Sequence, residues 1–218
     1  MLLKKPLRLS KAWVVSLKTL LHLFLLGYLA WTFYLAVIGQ LTADPVQGLL
    51  NFTGIGTVNL LFATLAISPL AKWLPCGDVM RFRRMVGVYA FVYGLSHFTT
   101  YLVFELQLNF SQLSSEIAKR PYILVGFSAL MLLLALSVTS PMAVRRKMGK
   151  TWQQLHNWVY LCLFLALLHY SWSQKTLWGD PLIYWAVSLL VIYSRRQKLK
   201  RGLANLGRKP SLNRKKAP

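Results

Sequence analysis

Long apolar runs alternate with short polar and basic segments along most of the chain. A helix that crosses a bilayer needs about twenty mainly apolar residues, so the pattern predicts an all-α integral membrane bundle of six transmembrane helices. The predicted spans cover residues 20–38, 54–71, 85–105, 122–140, 152–173 and 180–194. Proline costs least near a helix end, and four prolines support these boundaries: Pro69, Pro121, Pro141 and Pro181.

The composition is typical of a membrane protein. Of 218 residues, 56% are hydrophobic and only five are acidic, a balance that fits a soluble domain badly. A net charge of +21 can indicate nucleic-acid binding, but here the basic residues form short clusters between apolar runs, as in cytoplasmic loops. We therefore expect this chain to contact membrane lipid and not to bind nucleic acid.

The distribution of lysine and arginine predicts the topology. All but three of the 26 basic residues fall in the N-terminal arm, in alternate loops or in the tail; the three exceptions are Lys119, Arg120 and Lys175. Because cytoplasmic loops are enriched in Lys and Arg, both termini are expected in the cytoplasm of a multi-pass protein. This divides the chain into a basic arm (1–19), a six-helix domain (20–194) and a basic tail (195–218).

All four histidines lie within predicted helices, where ionisable residues are costly and usually functional. Counting residues along the helices places His97 and His169 together toward the outer side, and His156 and His22 toward the inner side. The thirteen residues from His156 to His169 correspond to about 20 Å of helix. They also correspond to about 140° of rotation, so the fifth helix is either distorted or central, with its histidines facing different neighbours.

The arrangement favours haem over zinc as the group bound by these imidazoles. Zinc needs three or four ligands in a compact tetrahedron, whereas haem iron needs only axial ligands within an apolar slot. Gly87 and Gly94 remove bulk from the third helix near His97 and could let a macrocycle approach. A hydrogen-bonding helix contact or a proton relay is the alternative for each histidine, above all for His22, which lies where it can stay hydrated.

Several segments carry a resemblance to a known family. They include ADPVQGLLNFTG, FATLAISPLAKW, RFRRMVGVYAFVYGLSHFTTY, KRPYILVG, TSPMAVRRKMGKTWQQLHNWVYL and LLHYSW. The chain resembles the haem-binding membrane subunit of the bacterial periplasmic methionine sulfoxide reductase system. That family belongs to the ferric-reductase-like transmembrane group, which also includes the membrane part of NADPH oxidases.

The resemblance implies an electron-transfer subunit of the bacterial inner membrane with one or two b-type haems. It implies His97, His156 and His169 as the iron ligands and a non-covalent FMN whose residues cannot be assigned. Electrons are expected to come from the quinone pool or a cytosolic flavin reductase. Catalysis is expected in a periplasmic molybdopterin enzyme that reduces methionine sulfoxide in proteins and docks near residues 105–120.

One departure from the oxidase pattern concerns the inner haem. Those proteins carry two histidines on the third helix, whereas here the position fourteen residues before His97 is Arg83. His156 therefore lacks an obvious partner, and His22 is the candidate. Two other interpretations stay open: a cytochrome b subunit of another dehydrogenase or ferric reductase, and a proton-coupled transporter.

Overall fold

The computed structural model describes residues 8–74, 76–174 and 179–194, and the regular structure in those ranges is helical throughout. The predicted all-α class is thereby confirmed, while the tail from residue 195 and the first seven residues of the N-terminal arm lie outside the described residues. A 3₁₀ turn covers Gly77–Arg81, and a π-helical turn, Tyr101–Glu105, extends the third helix. The α-helices in the described ranges are α1 Lys11–Val37, α2 Pro45–Trp73, α3 Arg83–Thr100, α4 Phe110–Lys119, α5 Pro121–Val138, α6 Met142–Met148, α7 Lys150–Asn157, α8 Val159–Ser173 and α9 Asp180–Ser194.

Two helices begin about nine residues earlier than the hydropathy predicts, because local caps start them. The Ser10 side chain accepts the N–H of Trp13, so α1 begins within the basic arm. Asp44 accepts the N–H groups of Val46 and Gln47 and is followed by a proline at the first position of α2. Both are standard N-terminal caps, and they satisfy backbone donors where the sequence is still polar.

The fifth predicted span is interrupted between its two histidines. Just before this span, Gly149, with φ of 54°, separates α6 from α7. A second break at Trp158 separates α7, which carries His156, from α8, which carries His169. Of the two arrangements that the azimuth left open, the structure therefore shows a distorted helix.

Within the described part of the chain, four helical stretches are long and apolar enough to cross a membrane: Lys11–Val37, Pro45–Trp73, Gly77–Glu105 and Pro121–Val138. The fifth predicted span is divided between α7 and α8, and the sixth corresponds to α9, a shorter apolar helix. Large apolar side chains on α1 and α9 are exposed in the structure, including Leu23, Trp31 and Leu190. Such an outer face suits a protein whose solvent is lipid.

The core lies where α2, α3, α5 and α8 pack together. Leu61, Leu65, Leu163 and Leu167 are almost completely buried there, beside Ala90 of α3. A second apolar cluster joins α1 to α3. The central four helices therefore form the part of the molecule that is best shielded from its surroundings, and they carry two of the four histidines, His97 on α3 and His169 on α8.

Candidate functional site

A cavity of about 390 Å³ lies between α2, α3, α5 and α8. Its floor is apolar, with Val58, Leu130 and Leu133 among the lining residues, and its opposite end carries Gln47 and Arg120 among other polar groups. The polar end is formed by the start of α2, the end of α3, the start of α5 and the end of α8, so the four helices alternate in direction. A mostly apolar slot with a few convergent polar groups is typical of a cofactor site.

His97 of α3 and His169 of α8 face each other across this cavity. Their ring centroids are 6.1 Å apart, and the ring planes are nearly perpendicular, at 82°. The structure thus brings together the two histidines that the sequence places at one depth. An imidazole–metal bond is about 2 Å long, so the separation leaves room for one metal centre between two ring nitrogens.

Backbone carbonyls fix the protonation of both rings. The Nδ1 atom of His97 lies 3.0 Å from the carbonyl oxygen of Leu50, and the Nδ1 atom of His169 lies 2.7 Å from that of Tyr122. A carbonyl oxygen only accepts hydrogen bonds, so each Nδ1 must carry a proton. In the neutral ring the lone pair then resides on Nε2, which has no hydrogen-bond partner among the described residues. Orientation of a ligating histidine through its other nitrogen is the usual arrangement at metal sites.

Each of the two carbonyls is uncovered by a glycine four residues later. A Cβ atom at Gly54 would lie 3.2 Å from the His97 ring, and one at Gly126 would lie 2.6 Å from the His169 Nδ1 atom. On a helix the side chain at position i+4 lies over position i, so any larger residue would cover the carbonyl of Leu50 or Tyr122. Glycine therefore gives each imidazole access to its acceptor.

Gly94 and Gly87, which the sequence suggested as clearances on α3, have different surroundings. Gly94 lines the cavity and also packs against Leu130 and Leu133. Gly87 packs against Thr64 of α2 and does not line the cavity. Gly94 thus contributes space beside His97, whereas Gly87 serves the close approach of two helices.

His156 has a different environment. Its Nε2 atom is 3.1 Å from the Thr139 hydroxyl, and its ring stacks on that of Trp152 at 4.0 Å. The Arg145 guanidinium lies over the same tryptophan, and Arg83 is within electrostatic range of the imidazole. The side chain is therefore partly enclosed by an aromatic ring and two cations, and a hydroxyl occupies its Nε2.

His22 is exposed on α1, and its Nδ1 atom lies 2.6 Å from the Tyr89 hydroxyl of α3. The structure shows no ring contact between His22 and His156 among the described residues. The proposed partnership of these two histidines thus stays a prediction.

Sequence reasoning missed Gly54, Gly126, Leu50 and Tyr122 as parts of the site. Two of them act through backbone carbonyls, which leave no trace in side-chain chemistry. The glycines did carry a signal, because glycine within a long apolar helix costs about 1 kcal/mol relative to alanine and usually has a packing reason.

Comparison with known proteins places the chain in a family. The family model described as "Ferric reductase like transmembrane component" matches residues 52–167, which include His97 and most of the residues that line the cavity but end just before His169. The protein-methionine-sulfoxide reductase heme-binding subunit MsrQ of Salmonella arizonae is 41% identical over 195 residues, or 89% of this chain and 98% of the relative. This chain belongs to the MsrQ family.

The resemblance drawn from the sequence segments is thereby confirmed at the level of the family. The MsrQ protein of Salmonella paratyphi B is 40% identical over the same shares of both chains. No solved structure matches the chain. MsrQ membership and the apolar helices together identify an integral membrane protein. The names of its relatives describe heme-binding subunits.

Proposed function

We propose that this chain is the haem-binding membrane subunit of a methionine sulfoxide reductase system and holds a b-type haem between His97 and His169. The observation that carries the proposal is the pair of facing imidazoles. Each donates its Nδ1–H to a backbone carbonyl, and its Nε2 has no hydrogen-bond partner among the described residues. Its relatives are named as heme-binding subunits, and the cavity has the apolar lining that a porphyrin needs.

Haem bound in this cavity would supply one-electron transfer at its iron. The protein's own contribution is to hold each imidazole in one tautomer through its Nδ1–H bond and to exclude water with apolar side chains, while no described residue bonds to either Nε2. If His97 and His169 both bound the iron, no coordination site would be left for a substrate. The chain therefore passes electrons, and bond chemistry belongs to a partner.

We further propose that the chain crosses the bacterial inner membrane six times with both termini in the cytoplasm. Four long apolar stretches support four of these spans; α7 with α8, and α9, supply the remaining two. The positive arm, alternate loops and tail support the orientation. In this topology the polar end of the cavity faces the periplasm.

The partner is proposed to be a periplasmic molybdopterin enzyme that reduces methionine sulfoxide in proteins. It would dock around residues 105–120, which include α4 next to the cavity mouth. The quinone pool or a cytosolic flavin reductase is the proposed donor. A second haem on His156 and a bound FMN remain expectations from the family resemblance. His22 remains the candidate for the other ligand of that second haem.

Re-oxidation kinetics test this function directly. The purified chain is reduced with dithionite, freed of excess reductant, and mixed with the periplasmic partner and a methionine sulfoxide substrate. We expect a b-type spectrum that reverts to the oxidised form only when both partner and substrate are present. Reversion with ferric chelates but not with the partner would instead assign the chain to the ferric-reductase function that its family model describes.

A further inference from the structure

The polar end of the cavity contains a cation that the histidine pair does not explain. Arg120 lies directly before α5 and is the only Lys or Arg among the described residues that line the cavity. We propose that Arg120 binds a propionate carboxylate at the edge of the haem, and this inference rests on the proposed function. Haem carries its two carboxylates on one edge, so an apolar slot with a cation at one end matches the polarity of the molecule.

Neighbouring side chains hold the guanidinium in place without exhausting its donors. The Nε atom of Arg120 lies 2.8 Å from Glu116 Oε2, and its Nη1 atom lies 3.4 Å from the Tyr122 hydroxyl. A guanidinium has five N–H donors in a planar fork that matches a carboxylate. About half of the arginine side chain is exposed, whereas Glu116 is only 15% exposed. The remaining donors are therefore accessible for a second carboxylate.

Tyr122 connects this cation to the histidine pair. Its hydroxyl accepts from Arg120, its carbonyl accepts from His169 Nδ1, and its ring stacks on the His169 ring at a centroid distance of 6.0 Å. One residue therefore fixes both an iron ligand and the proposed propionate ligand. Through Tyr122, the orientation of the His169 ring is therefore linked to that of the Arg120 guanidinium.

The local charges permit the interaction. Hydrogen bonding to Tyr122 and the nearby Glu116 carboxylate raise the pKa of Arg120 above its ordinary value, so it stays charged at any physiological pH. Glu105 also lines this end of the cavity but is exposed, and solvent screens an exposed carboxylate. The amides of Gln47 and Asn51 at the same end can donate further hydrogen bonds to an anion.

Esterified haem provides the test. Apoprotein in nanodiscs is reconstituted with iron protoporphyrin IX or with its dimethyl ester, which cannot form the ion pair, and haem loss to excess apomyoglobin is followed by absorbance. In the wild type we expect the ester to be lost about tenfold faster, the scale of a charged hydrogen bond. Arg120→Gln should lose both haems at the same fast rate, and its midpoint potential should fall, because a nearby cation favours the reduced haem.

Two further variants keep the test decisive. Arg120→Lys retains the charge without the fork, so it should recover part of the discrimination even if Arg120→Gln folds poorly. Lys119→Gln removes a charge from the adjacent residue, which does not line the cavity, and should discriminate like the wild type. Equal discrimination by wild type and Arg120→Gln, with normal spectra, would overturn the inference and leave Arg120 to a different task such as docking an acidic partner surface. Absence of a haem spectrum from the wild type would instead defeat the proposed function itself.

Discussion

The two histidines that share the cavity and the two that do not differ in what occupies their ring nitrogens. At His97 and His169 the backbone takes the Nδ1 proton and leaves both Nε2 atoms without a described protein partner. At His156 a threonine hydroxyl occupies Nε2, and at His22 a tyrosine hydroxyl lies at Nδ1 on an exposed helix face. Similar depth in the membrane is thus insufficient to make a ligand pair; the second contact of each ring decides which nitrogen is available.

Removing the proposed iron ligands should distinguish the paired histidines from His156 and His22 most clearly. We expect His97→Ala and His169→Ala each to reduce bound haem at the paired site at least tenfold, because each removes one axial bond. His156→Ala should leave the low-spin signal of that site intact. Haem per protein and low-temperature electron paramagnetic resonance measure both effects, and normal haem content in the His97 and His169 variants would refute the pairing.

Filling the glycine positions should have the next largest effect. The Cβ of Gly126→Ala would meet the His169 ring at 2.6 Å, whereas that of Gly54→Ala would meet the His97 ring at 3.2 Å. Overpacking of this kind costs about 1–3 kcal/mol, so we expect lost haem affinity in both variants and more in the first.

Gly27→Ala serves as the control, since an added Cβ there meets nothing within 4 Å. Because alanine favours a helix, that variant should be neutral or slightly more stable. Haem titration and thermal unfolding of the three variants measure the order. Equal haem affinity and stability of Gly126→Ala and Gly27→Ala would show that His169 can reach the Tyr122 carbonyl without a glycine at position 126.

The smallest effect is expected at His156. Thr139→Val removes the hydroxyl that contacts His156 Nε2, along with that hydroxyl's bond to the Ala135 carbonyl. Thr64→Val is the matched control, because Thr64 bonds the Leu60 carbonyl without a histidine partner. We expect Thr139→Val to cost about 1 kcal/mol more than the control, measured by thermal unfolding, with an unchanged spectrum at the paired site. A shift of that spectrum would show that the surroundings of His156 are coupled to the paired site at His97 and His169.

Most of the helices could be predicted from hydropathy, but their starts and interruptions could not. The starts of α1 and α2 depend on Ser10 and Asp44, which cap helices in locally polar sequence. The amphipathic α4 was missed because only part of one face is apolar and its mean hydropathy is low. The break at Trp158 lies where the polar, amphipathic α7 meets the apolar α8, and no proline or glycine marks it in the sequence.

The sequence by itself determined an all-helical membrane protein, its family, and the two histidines that lie at one level, because bilayer thickness and helical rise convert residue number directly into depth. Only the tertiary structure decided which histidine rings face one another and which nitrogen of each is free. Those features depend on azimuth, on backbone carbonyls from other helices, and on glycines that expose them. Contacts between distant segments set all three, and no local pattern of side chains encodes them.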